Sequence, residues 1–182
     1  MRFRMNIIRV KSIGKNNTKL FFKNNIINCQ IGKRGFNLNY KKKEGDFTTP
    51  KGKWNIERLF YRRDKIPFLK THKSFRKKIY IISKNCCWCD DIFHKKYNKH
   101  IKIRDLNVKN KIKHEALWRE DDVYDIIFVL NYNTRPIIKG KGSAIFMHCS
   151  FKNYRSTRGC VAIEKKFLKY ISNLINKNTI LK

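Results

Sequence analysis

A chain of 182 residues that is 41% hydrophobic and 13% aromatic is about one domain long and can build a real core, which argues against a disordered chain. Its 44 lysines and arginines against 13 acids give a formal charge of +31, yet the lysines are scattered among Asn and Ile over the whole length, so no nucleic-acid-binding arm is set apart. No stretch approaches the ~20 apolar residues of a membrane span, and the charged start lacks the continuous apolar run and small-residue cleavage site of a secretory leader.

β-Branched and aromatic residues at 2–10, 18–22 and 26–31, separated by turn chemistry at Gly14 to Asn17 and at Lys23-Asn24-Asn25, predict an N-terminal meander. Gly32-Lys33-Arg34-Gly35 lacks the strand-to-helix spacing of a phosphate loop and reads as a loop with unusual backbone angles. Residues 41–53, punctuated by Gly45, Pro50 and Gly52, form a long charged loop that leads into a strand at 54–60. Arg62-Arg63-Asp64-Lys65 reads as a solvated turn with surface ion pairs, followed by a short strand at 79–82.

Cys86, Cys87 and Cys89 are too bunched for a disulfide framework. With His94 and His100 nearby they offer soft ligands, but the second ligand pair of a zinc site is missing at finger spacing, so buried thiols are expected rather than a metal. Val108, Ile112 and Leu117-Trp118 predict a short helix over 107–120, and Asp121 beside Arg119 reads as a structural ion pair. The run Ile126-Ile127-Phe128-Val129 predicts a central strand, doubly buried, over 124–130, with a neighbour at 143–148. Phe167, Leu168, Ile171, Leu174 and Ile175 fall at helical spacing, and a last strand at 179–181 closes the chain.

One stretch carries chemistry. The apolar run Ala144-Ile145-Phe146-Met147 delivers His148; a basic loop follows; the chain then tightens at Arg158-Gly159 and presents Cys160 before Val161-Ala162-Ile163. A histidine and a cysteine held by neighbouring apolar segments suit a thiolate nucleophile and its base. His148 as imidazolium, with Lys152, Arg155 and Arg158 around it, is expected to stabilise the thiolate, and the amides of Gly159 and Cys160 to hold the developing oxyanion. Cys149 lacks a preceding glycine and is set aside as nucleophile.

His148 followed by Thr157-Arg158-Gly159-Cys160 resembles the signature of the L,D-transpeptidase catalytic-domain family, the YkuD-like domain. Further agreement lies at Gly32 to Gly35, Lys43-Glu44-Gly45-Asp46 with Thr49 to Gly52, Trp88-Cys89-Asp90-Asp91 with Tyr97-Asn98, and Leu117-Trp118-Arg119 with Tyr124-Asp125. Arg158 stands where the commonest form has His, Ala162 where it has Asn, and the spacing from His148 to Cys160 is shorter than usual.

The resemblance implies a single catalytic domain over 1–182, mainly β, a sandwich or curled mixed sheets with one or two helices. It implies cysteine acyl transfer from a tetrapeptide stem of peptidoglycan, without a cofactor, by a monomer in the periplasm or cell envelope. Arg158, Thr157, Trp88, Asp90 and Trp118 would shape the site, Trp88 lining the cleft or packing beneath it, with Asp90 or Asp91 bonding loop backbone. The carbonyl of Cys149 would orient His148. Hydrolysis at the same Cys-His site, a non-catalytic basic protein and an inactive family member stay open as alternatives. A papain-like hydrolase is disfavoured because there the Cys precedes the His.

Overall fold

The computed structural model describes residues 6–14, 17–103, 111–151, 153 and 155–182. Three antiparallel strands open the chain, β1 (Ile7–Gly14), β2 (Asn17–Phe22) and β3 (Asn25–Gln30), and Lys23 takes a positive φ in the turn between the last two. They match the expected meander. Residues 2–5 and the turn residues Lys15 and Asn16 lie outside the described residues. Two short parallel strands follow, β4 (Phe36–Leu38) and β5 (Thr49–Lys51), then the long β6 (Trp54–Tyr61) and β7 (Ile79–Ile81).

A small sheet comes next, made of β8 (Cys86–Cys89), β9 (Lys99–Lys102) and β10 (His114–Ala116) in the order β10-β8-β9. His114 to Ala116 pair antiparallel with Cys89 to Cys87, so this part of the expected 107–120 helix is a strand; residues 107–110 lie outside the described ones. A partly helical apolar pattern was overridden by a sheet partner distant in sequence.

The chain finishes with β11 (Ile126–Leu130), β12 (Phe146–Cys149), β13 (Val161–Ile163), the helix α1 (Lys165–Leu174) and β14 (Ile180–Leu181). The main sheet runs β11-β12-β13-β3-β2-β1-β14-β6-β7, and β6 also pairs with β11, so the sheet curls and closes on itself. The protein is thus mainly β, with mixed sheets and one α-helix among the described residues.

Two apolar clusters lie on opposite faces of this sheet, because successive side chains on a strand point to opposite sides. Ile126, Phe128, Met147, Cys149 and Val161 face an inner cluster that α1 seals with Leu168 and Ile171, with Ile175 just past its end. Ile127, Val129, Phe146 and Cys160 face the other way, toward Trp88 and Leu117 of the small sheet. Every residue of β11 is buried, as a strand covered on both faces requires. The same alternation puts Cys86 with Trp88 on one face of β8 and Cys89 with Cys87 on the other, so Cys86 and Cys89 do not converge on a common ligand.

Arg62 also departs from expectation. It is 2% exposed, pairs with Asp64, donates to the Arg119 carbonyl at 2.6 Å and lies over Trp118, with Cζ 3.4 Å from the ring centroid. Its weakly hydrated plane allows what a solvated turn would not, a stacked and doubly bonded cation inside a loop. Arg119 pairs with Asp121, as the sequence suggested.

Candidate active site

His148 and Cys160 sit on one face of two adjacent strands. β12 and β13 are parallel, with His148 opposite Ala162, so Cys160 lies two residues before the partner of His148 and points to the same side. Cys160 directly precedes β13, and ideal strand spacing and rise place its Cα roughly 8 Å from that of His148. The Phe146 amide is 3.4 Å from Cys160 Sγ, which fixes the sulfur beside the start of β12. Cys149 belongs to the inner cluster on the opposite face, where it cannot share a substrate with Cys160.

Hydrogen bonds define the protonation state. The Cys160 thiol donates to the Ala144 carbonyl at 3.1 Å, a bond that needs the proton on sulfur. His148 Nδ1 lies 2.8 Å from the Cys149 carbonyl, and since a carbonyl only accepts, Nδ1 carries the hydrogen and Nε2 is left as the base. Burial pushes the Cys160 thiol up to about 12, with nearby Glu115 adding to it, and burial lowers His148 to about 4. The resting pair is therefore thiol and neutral imidazole. The thiolate-imidazolium pair expected from the sequence is disfavoured by desolvation, which outweighs the surrounding cations. Lys152 lies outside the described residues; Arg155 stacks on Phe151, 3.9 Å from its ring centroid, and Arg158 is exposed.

The turn before Cys160 is held by a network that the glycines allow. Thr157 Oγ1 donates to the Cys160 carbonyl at 2.7 Å and accepts from the Gly159 amide at 3.1 Å. The Gly159 amide is thus engaged with Thr157 at rest, and the hydroxyl that caps it comes from the same motif. Thr49 Oγ1 donates to the Gly159 carbonyl and accepts from the Gly32 amide, both at 2.9 Å, while Gly32 bridges Thr157. Gly159 has φ +147, and a Cβ there would lie 2.9 Å from the Thr48 carbonyl oxygen. Gly159→Ala is expected to cost about 1–3 kcal/mol through strain and to displace the nucleophile. Thermal melting and turnover measured together check it.

Asn98 wires the strands under the site. Its Oδ1 accepts from Trp88 Nε1 at 2.9 Å and from the Ala144 amide at 3.0 Å, and its Nδ2 donates to the carbonyls of Tyr132 and Asn133. Trp88 is 1% exposed with its ring edge-on to Phe146 at 4.9 Å, so it packs beneath the site instead of lining it. Tyr97 donates to Glu44 and accepts from the Gly142 amide, which ties the charged loop to the segment entering β12. In that loop Lys42 is 2% exposed and bonds Asp46 at 2.6 Å; burial alone would raise the Asp46 carboxyl, but bonds from Lys42 and the amides of Lys43 and Thr48 outweigh it and hold it at about 2.

Of the two acids after Trp88, Asp91 bonds loop backbone, accepting from the Phe93 amide at 2.9 Å. The Asp90 carboxyl is raised by burial, opposed by Lys113, and its Oδ1 has no partner among the described residues. Trp118 packs against the cluster that holds Cys160. Sequence reading gave no role to Glu115, and Tyr124 entered only as part of a motif. Tyr124 donates to Glu115 at 2.6 Å and sets its ring edge-on to His148 at 5.3 Å, and burial together with the Glu115 carboxylate raises its hydroxyl well above the ordinary tyrosine value. The only signal available for Glu115 was its rarity, one acid among 13 in a basic chain.

A family model described as the L,D-transpeptidase catalytic domain, YkuD, matches residues 9–182. Neither the comparison with curated proteins nor that with solved structures gave a match.

Proposed function

Since the chain belongs to the L,D-transpeptidase catalytic-domain family, we propose that it is a cysteine acyltransferase acting on peptidoglycan stem peptides in the cell envelope. The observation that carries this reading is the divided tautomer at the site: His148 spends Nδ1–H on the Cys149 carbonyl and keeps Nε2 as a base on the same sheet face as the Cys160 thiol.

In the proposed first step the thiol leaves the Ala144 carbonyl, Nε2 of His148 takes its proton, and Sγ attacks the carbonyl at the L-centre of the diamino acid in a tetrapeptide stem. The proton passes from Nε2 to the departing amine, terminal D-alanine leaves and a thioester remains. An amine of a neighbouring stem then attacks the thioester, His148 accepts its proton and returns one to sulfur, and a cross-link forms. Water in place of the amine gives the hydrolytic product. The oxyanion of each tetrahedral species is assigned to the Cys160 amide, with the Gly159 amide joining only if it releases Thr157. Arg158, Thr157, Trp118 and Asp90 shape the approach, Thr157 through the turn itself and Arg158 from the exposed rim.

The test is a carbapenem followed by intact-protein mass spectrometry. The wild-type chain is expected to gain one adduct that maps to Cys160, and Cys160→Ala to gain none while still unfolding in a cooperative transition. A native protein that stays unmodified, or an adduct on Cys149, rejects the assignment. Incubation with a tetrapeptide stem, with and without an acceptor amine, then separates transfer from hydrolysis by the mass of the product.

A further inference from the structure

Three loops at the end of the molecule near β4 carry large apolar side chains in water: Tyr40 is 68%, Phe93 87% and Ile138 52% exposed. They are neighbours in space. Lys139 Nζ donates to the Phe93 carbonyl at 3.2 Å, Lys141 Nζ to the Tyr40 carbonyl at 3.1 Å, and the Glu44 amide to the Gly140 carbonyl at 2.8 Å. Exposed apolar side chains grouped in this way mark an interaction surface.

Charge on these loops is sorted. The acids are engaged within the loops: Glu44 accepts from Tyr97 and Asp46 from Lys42, both half-buried, and Asp91 accepts from the Phe93 amide at the surface. Lys41, Lys43, Lys95, Lys96 and Lys139 are exposed. The face therefore presents cations around apolar tips. A soluble or polymeric polyanion would engage the lysines but gains nothing from a phenylalanine held almost wholly in solvent, whereas the boundary of an anionic bilayer takes both.

We propose that these three loops dock the protein on an anionic lipid surface, with Phe93, Ile138 and Tyr40 entering the headgroup layer and the lysines meeting lipid phosphates. The surface is separate from the thiol chemistry, and its test does not depend on turnover.

The full chain is to be sedimented with vesicles of phosphatidylcholine alone and of equimolar phosphatidylglycerol and phosphatidylcholine. Binding is expected only to the anionic vesicles. Phe93→Ser with Ile138→Ser should weaken it about tenfold or more, and Lys95→Ser with Lys139→Ser also by about tenfold. Lys11→Ser with Lys169→Ser, the same charge loss from exposed positions on β1 and α1, should change it little. Equal loss in that reference pair, or full binding by the apolar variant, overturns the proposal in favour of diffuse attraction to the whole cation. Independently, Phe93→Trp should shift its fluorescence to the blue on adding anionic vesicles; an unshifted spectrum while the protein is bound overturns it as well.

Discussion

Replacing His148 by Gln is expected to lower kcat by about ten-thousand-fold, the upper range for loss of a general base. The pH profile discriminates this from structural damage. In the proposed mechanism the working form of the wild type is neutral imidazole with thiol, and protonation of Nε2 removes the base, so kcat/KM should fall on acidification. Because burial lowers His148 to about 4, the acid limb should lie near pH 4 instead of near the ordinary histidine value of about 6.5. In the variant, hydroxide must take the thiol proton, so residual activity should rise about tenfold per pH unit toward the Cys160 value of about 12. An acid limb near pH 6.5 in the wild type, or a flat profile in the variant, would show that a solvated ion pair does the chemistry.

Asn98→Ala should unfold the protein more readily by about 3–5 kcal/mol, the sum of two buried donors left unpaired. Those donors are Trp88 Nε1 and the Ala144 amide, and two carbonyls lose their partner as well. Asn98 has φ +54, a region that asparagine tolerates better than alanine, which adds to the loss. Chemical denaturation measures it. Activity should fall beyond what stability explains, because Ala144 also supplies the carbonyl that holds the thiol. Asn98→Asp keeps the acceptor oxygens for Trp88 and Ala144 and should recover part of both.

These outcomes turn on the features that a linear reading sees least well. The strands at β2, β3, β6 and β11 and the helix α1 were legible because alternation, β-branching and 3.6-residue spacing are local properties of the chain. The strand β10 was not, since His114 to Ala116 extend only by pairing with β8. Arg62 read as solvated for the same reason: its partners Trp118 and the Arg119 carbonyl are brought in from a distant segment.

The sequence by itself singled out the candidate pair, because a histidine ending one apolar run and a cysteine entering another through a glycine are encoded within a single short stretch. Only the tertiary structure decided the state in which that pair rests and which amides surround it. Ionisation depends on how much water is removed from both groups at once, and that depends on β11, the small sheet and Tyr124 closing over them from elsewhere in the chain.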